Sequence, residues 1–153
     1  MERKNFRKNI KEEKEFEQKI VDLARVTRVT KGGKQLNFRA CVAIGDLKGR
    51  CGIGLAKGID VAIAVEKAVA VAKKKIITVP ITEEESIPYE IKEKFGAARI
   101  LLRPAKKGTG LKAGSAVRIV LELVGIKNIT SKILGSNNKI NNAKATINAL
   151  SRI

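Results

Sequence analysis

Apolar and polar positions alternate most sharply over residues 36–44, where Leu36, Phe38, Ala40, Val42 and Ile44 interleave with Gln35, Asn37, Arg39 and Cys41. Successive strand side chains point to opposite faces, so the pattern predicts a strand with one face in a core and the other polar. Upstream, residues 20–31 are rich in Val and Thr, whose branched β-carbons suit a pleated strand. Between them, Lys31-Gly32-Gly33-Lys34 reads as a hairpin tip in which Gly-Gly supplies the positive φ angles of a two-residue turn. Gly45-Asp46-Leu47-Lys48-Gly49 predicts a second turn, and residues 50–57 a third strand with Cys51, Ile53 and Leu55 on one face. Gly52 and Gly54 leave its other face nearly bare, which points to close approach of another backbone, protein or nucleic acid.

After Gly58, Asp60 is placed to cap a helix running to about Lys75, striped by Val61, Val65, Val69 and Ala72. Lys73, Lys74 and Lys75 complement the helix dipole and equally make a phosphate-seeking patch. A short strand over 76–81 leads into Thr82-Glu83-Glu84-Glu85-Ser86, an acidic stretch and the best domain boundary. Beyond it, Ile87, Tyr89 and Ile91, then Ala98, Ile100 and Leu102, predict a strand pair. A basic loop over 105–112 precedes a helix marked by Ala113, Val117, Val120, Leu121 and Val124 and stopped by Gly125. A strand over 126–134, a turn at Gly135-Ser136-Asn137-Asn138, and a helix with Ile140, Ala143, Ile147 and Leu150 complete the chain. The order βββαβ then ββαβα predicts an α+β fold of two small domains, 20–82 and 83–153. Residues 1–19, with twelve charges and no clear period, read as a flexible basic arm.

Charge then narrows function. Among 153 residues, 32 Lys and Arg face 15 Asp and Glu for a net +17, with 44% hydrophobic residues, which implies a globular protein with a polyanionic partner. No apolar run approaches the roughly 18 residues of a spanning helix, and residues 1–19 carry no readable address, so the expected setting is cytoplasmic, without membrane contact. With no His and only Cys41 and Cys51, the chain cannot build a Cys/His zinc site or a His-activated nucleophile, so it is expected to be no enzyme and to need no metal or cofactor. The predicted turn puts Cys51 opposite Ile44 and Cys41 near Gly54, which favours two buried thiols over a disulfide.

Two glycine-rich stretches, Gly52-Ile53-Gly54-Leu55-Ala56-Lys57-Gly58 and Gly108-Thr109-Gly110-Leu111-Lys112-Ala113-Gly114, invite comparison with nucleotide loops. Their spacing fails the dinucleotide fingerprint, and Lys107-Gly108-Thr109 has the Walker residues in the wrong order. Free amides at such loops would still attract the phosphates of a polymer. Gly49-Arg50-Cys51-Gly52 has the form of a KH clamp but lies between strands, and five Phe and Tyr residues are too few for a base-stacking sheet. The residues therefore point to a protein that grips nucleic-acid backbone and shape.

Several ordered motifs add to this: Arg25-Val26-Thr27-Arg28 with Lys31-Gly32-Gly33-Lys34, Ala43-Ile44-Gly45-Asp46 with Gly49-Arg50-Cys51-Gly52-Ile53-Gly54, Arg103-Pro104-Ala105-Lys106-Lys107-Gly108-Thr109-Gly110, and Leu134-Gly135-Ser136-Asn137-Asn138. Over roughly residues 16–150 the string resembles the family of the bacterial-type fifth protein of the small ribosomal subunit. The resemblance implies an N-terminal domain like a double-stranded-RNA-binding domain and a C-terminal domain with a left-handed βαβ crossover. It also implies that the hairpin tip reaches ribosomal RNA near the neck of the subunit, where the family affects spectinomycin sensitivity. Expected RNA contacts are Arg25, Arg28, Lys31, Gly32, Gly33 and Lys34 on the first hairpin, and Arg50 and Lys57 on the third strand. Lys106, Lys107, Thr109 and Lys112 on the basic loop, and Ser136, Asn137, Asn138 and Lys139 at the last turn, complete the set. By the same resemblance Gly110 and Arg118 would meet the fourth small-subunit protein, a contact that tunes decoding accuracy. The eighth small-subunit protein and the messenger entry channel would lie nearby. The alternatives are a free-standing double-stranded-RNA binder and, more weakly, a phosphate-handling enzyme.

Overall fold

A computed structural model describes residues 16–153. Residues 1–15, most of the expected arm, lie outside the described residues. Two four-stranded sheets share the chain. The first contains β1 (Glu17–Thr30), β2 (Gly33–Gly45), β3 (Arg50–Gly58) and β4 (Ile77–Thr78), antiparallel in sequence order, with helix α1 (Val61–Lys73) between β3 and β4. The second contains β5 (Ile91–Phe95), β6 (Ala98–Pro104), β7 (Leu111–Lys112) and β8 (Ile129–Ile133), in the order β5-β6-β8-β7. Helix α2 (Ser115–Val124) crosses from β7 to the parallel β8, and α3 (Lys139–Leu150) follows. This is the expected α+β arrangement. It adds one two-residue strand, β7, which the sequence pattern left inside a loop.

Glycine decides how α1 seats on β3. A Cβ at Gly52 would lie 2.7 Å from the Ala72 carbonyl oxygen, and one at Gly54 would overlap the Ala68 carbonyl oxygen. The backbone that approaches these glycines is therefore the protein's own helix, not nucleic acid. The same closeness selects which helix face turns inward. Ala64, Ala68 and Ala72 are fully buried against Ala40, Val42 and Ile44, whereas the expected stripe residues Val65 and Val69 are only partly covered and flank it. Small side chains let two backbones meet where a valine stripe would hold them apart.

The opposite face of the first sheet is apolar as well. Cys41, Ala43 and Cys51 belong to one core with Leu102, Val117, Leu121 and Leu123 of the second half. Alternation had marked Cys41's face as polar, but the second half of the chain covers it. Packed against both halves, α2 buries Ala116 and Leu123 as well as the expected Val117, Val120, Leu121 and Val124, and turns Ser115, Arg118 and Glu122 outward. A backbone lock joins the halves: the N–H of Leu47 donates to the carbonyl of Leu123 at 3.1 Å, and that of Gly49 to Val124 at 2.9 Å. These amides satisfy carbonyls that the end of a helix leaves without partners. Gly45 packs onto the Leu123 backbone and Gly125, at φ +92°, onto Leu47, each without room for a Cβ.

Strand register and extent differ from expectation in several details. Gly45, not Ile44, opposes Cys51, and Leu55, not Gly54, opposes Cys41, because the β2–β3 connection is one residue shorter than expected. Both thiols are free and buried. At the first hairpin Thr30 pairs with Gly33, so the two turn residues are Lys31 and Gly32, and the positive φ (+145°) falls on Gly33 as β2 begins. Finally, β1 starts at Glu17, inside the expected arm, and Leu36, assigned to the core by its period, is 49% exposed.

Candidate nucleic-acid interface

The lengths of three neighbouring strands build the most prominent feature. β3 stops pairing at Phe38–Gly58, while β1 and β2 continue together through Thr27–Leu36, Arg28–Gln35 and Val29–Lys34 to Thr30–Gly33. A two-stranded ribbon therefore projects about 15 Å beyond the sheet, at 3.4 Å per residue. It carries Arg25 and Arg28 on one strand, Lys34 on the other and Lys31 at the tip, all exposed. None of the four makes an ion pair among the described residues. Nothing lies within 4 Å of a Cβ built at Gly32 or Gly33, so both glycines face open space in that direction. The Thr30 hydroxyl donates to the Gly33 carbonyl at 3.1 Å and closes the turn.

The other expected contacts are distributed and differ in freedom. Lys57 is exposed near the end of β3. Arg50 is engaged: its Nε donates to Asp46 at 2.6 Å and its guanidinium lies 5.1 Å from the Phe16 ring centre. Asp46 also accepts from the N–H groups of Lys48 and Arg50, both at 2.9 Å. Burial opposes its ionisation, but the Arg50 side chain and these two N–H groups outweigh burial and hold the carboxyl below its ordinary value. Arg50 thus braces the β2–β3 turn that locks the two halves.

On the second sheet, Lys106, Lys107 and Lys112 are exposed and make no ion pair among the described residues. The loop beneath them is not the set of free amides that its glycines implied. Gly108 and Gly110 both donate to Asn128 Oδ1, at 3.1 and 3.2 Å, and the Thr109 N–H donates to the Lys106 carbonyl. Asn128, 4% exposed, also donates to the Glu84 carbonyl at 2.8 Å, clasping the basic loop to the acidic linker. Sequence reasoning missed it, since an isolated Asn carries no periodic signal.

At the last turn, Asn138 accepts from the N–H groups of Ile140 and Asn141 and so caps α3, and Ser136 accepts from the Asn138 N–H at 3.2 Å. These side chains shape the turn, leaving Asn137 and Lys139 exposed. Lys139 sits 4.0 Å from Asp22, which also holds Arg39 at 3.5 Å. Arg118 donates to Glu122 at 3.0 Å, and Lys19 of β1 donates to the same carboxylate at 2.8 Å. Lys19 and Arg118 hold the Glu122 carboxyl below its ordinary value. Gly110, at φ +77°, has open space above it. The ribbon thus extends one end of the first sheet, while the basic loop and the last turn lie at opposite strand ends of the second.

The described residues contain no group of three or more His, Cys, Asp or Glu able to hold a metal, and no helix long and apolar enough to cross a membrane. Two sheets joined through a shared core cluster, with unneutralised cations carried outward on a ribbon and a clasped loop, define a basic α+β protein built to meet a polyanion. Residues 16–80 match the family described as ribosomal protein S5, N-terminal domain, and residues 93–153 match ribosomal protein S5, C-terminal domain. The chain is 55% identical to small ribosomal subunit protein uS5c of Emiliania huxleyi, across 91% of this chain and 87% of that one. It is 48% identical to uS5c of Rhodomonas salina (99% and 90%) and 47% identical to uS5 of Trichormus variabilis (99% and 87%). The chain belongs to the ribosomal protein S5 family, whose members named here are ribosomal proteins and not enzymes.

Proposed function

We propose that the protein is a structural constituent of the small ribosomal subunit that binds its ribosomal RNA through the ribbon tip and the basic loop. The observation that carries this reading is the ribbon, where Arg28, Lys31 and Lys34 project beyond the sheet and Arg25 stands at its base, with no carboxylate paired to any of the four among the described residues. Cations held away from their own protein's acids cost little to transfer to phosphates, and an open turn fits a narrow RNA crevice. With Lys57, Lys106, Lys107 and Lys112 they form the contact set, while Arg50, Ser136 and Asn138 act mainly by shaping the turns that carry their neighbours. The α2 face with Gly110 and Arg118 is assigned to the fourth small-subunit protein. Contact with the eighth protein, a place beside the messenger entry channel and an influence on decoding accuracy complete the proposal.

Sedimentation of a lysate, probed for this polypeptide, tests it: co-migration with the small subunit is expected, and a free pool bound to any duplex would instead favour the free-standing RNA binder. Binding to small-subunit ribosomal RNA should fall by roughly 10³ to 10⁵ between about 50 and 200 mM salt if six to ten phosphates are met. A flat response would refute the electrostatic basis.

A further inference from the structure

The ribbon has two unlike faces. Arg28, Thr30, Gln35 and Asn37 lie on one with a single apolar residue, the half-buried Val26 at its base. On the other, Val29 stands opposite Lys34 and Thr27 opposite Leu36, so the two aliphatic side chains are diagonal neighbours on a single face. Val29 is 76% exposed and Leu36 49%. Farther along the same face, Phe38, Ala40 and Val42 pack toward α1, but α1 does not extend over the ribbon, and no described element covers Val29 or Leu36. An isolated two-stranded ribbon is marginal in water. This one nevertheless presents an apolar strip, bordered by Arg25, Lys31 and Lys34.

We infer that the Val29–Leu36 strip packs against ribose and base surface at an irregular RNA element, a bulge or junction. This deepens the RNA-binding reading and rests on it. The occupant must complement both halves of the strip, anionic where Arg25, Lys31 and Lys34 lie and apolar between them. Nucleic acid does so where a base is unstacked, because the base face and the sugar then lie beside phosphates. An uninterrupted A-form duplex hides its base faces and offers the lysines phosphates but little surface to the aliphatic pair. The cations therefore set affinity for RNA in general, and the strip sets preference for distorted RNA. Apolar wedges act in this way at kinked duplexes.

The test compares an uninterrupted RNA duplex with the same duplex carrying a bulge, titrated with full-length protein across a salt series. Val29→Thr keeps β-branching and Leu36→Thr introduces it, so both residues suit a strand while the apolar surface is replaced. Expected is a loss on the order of tenfold for bulged RNA, little change for the duplex, and an unaltered salt slope. Val29→Ile with Leu36→Met, which keeps the strip apolar, should retain the preference for bulged RNA and controls for ribbon packing. Wild-type binding by the threonine variant, or equal losses on both RNAs, overturns the inference. If that variant binds RNA normally yet fails to enter reconstituted small subunits, the strip serves a partner protein and the inference is likewise overturned. Lys31→Ala with Lys34→Ala separates this from the underlying reading. An unchanged salt slope there refutes RNA binding by the ribbon itself, whatever the strip does.

Discussion

Replacing Gly54 by alanine puts one methyl group where α1 touches β3. That carbon would overlap the Ala68 carbonyl oxygen and lie 2.8 Å from the Ala68 carbonyl carbon and the Ala72 amide nitrogen. All three are backbone atoms, so no side chain can swing aside. The helix must retreat by on the order of 1 Å, a gap that forfeits a quarter to a half of each dispersion contact it loosens. Those contacts join Ala64, Ala68 and Ala72 to Ala40, Val42 and Ile44, the whole of the smaller core cluster. Overpacking typically destabilises by about 1–3 kcal/mol, and with no flexible neighbour the upper end applies, about 3 kcal/mol. For a chain of this length that lowers the melting temperature by about 6–12 °C. Urea unfolding followed by circular dichroism measures it, with Gly32→Ala as control, since nothing lies within 4 Å of a Cβ at Gly32 and its φ is unstrained. The control should fall within about 0.5 kcal/mol of wild type. A Gly54→Ala protein as stable as the control would refute the close packing of α1 on β3.

Gly32→Asp adds a carboxylate at the tip without strain, so RNA affinity should drop on the order of tenfold with little change in melting temperature. Gly33→Asp, at φ +145°, should lose stability as well, and equal thermal losses in both variants would contradict the turn geometry. The Glu122 carboxyl is held below its ordinary value of 4.5 by Lys19 and Arg118, so its contribution is complete above that value and lost as pH falls through the lower folded value. Glu122→Gln should therefore flatten the acid limb of a melting-temperature profile, and a limb of unchanged steepness would exclude the linkage. Burial pushes the thiols up to about 11 at Cys41 and about 12 at Cys51. Both should react with a disulfide reagent at pH 8 far more slowly in the native protein than in denaturant, and equal rates would disprove their burial.

Strands and helices were legible where local rules act alone. The alternation from Leu36 to Ile44 gave β2, and Asp60 was placed as a cap that accepts from the Val61 N–H at 2.7 Å. Gly52 and Gly54 announced a close backbone, though only tertiary packing could say that it was α1. The misreadings share one cause, that a period names an apolar face without naming what covers it. Alternation set Cys41 among polar neighbours, although the thiol itself was expected to be buried, and only the second half of the chain supplies its cover; Leu36 looked inward although β3 and α1 end before reaching it. Valines seemed to mark the inner stripe of α1, yet distance to the glycines selected the alanines. Of the candidate contacts, charge located the lysines of the tip and loop. It could not reveal that Asn128 already holds the Gly108 and Gly110 amides, because that bond joins residues far apart in the chain.

The bonds from Leu47 to Leu123 and from Gly49 to Val124 also constrain the order of events during biosynthesis. Residues of the first sheet leave the translating machinery well before α2 has been made, so the β2–β3 turn must wait with its amides hydrated until Leu123 and Val124 emerge. Newly made chains thus pass through an interval with the Cys41 and Ala43 face uncovered and prone to association. Prompt arrival of the second half therefore protects the first, because the residues that cover Cys41 and Ala43 come from beyond the acidic linker.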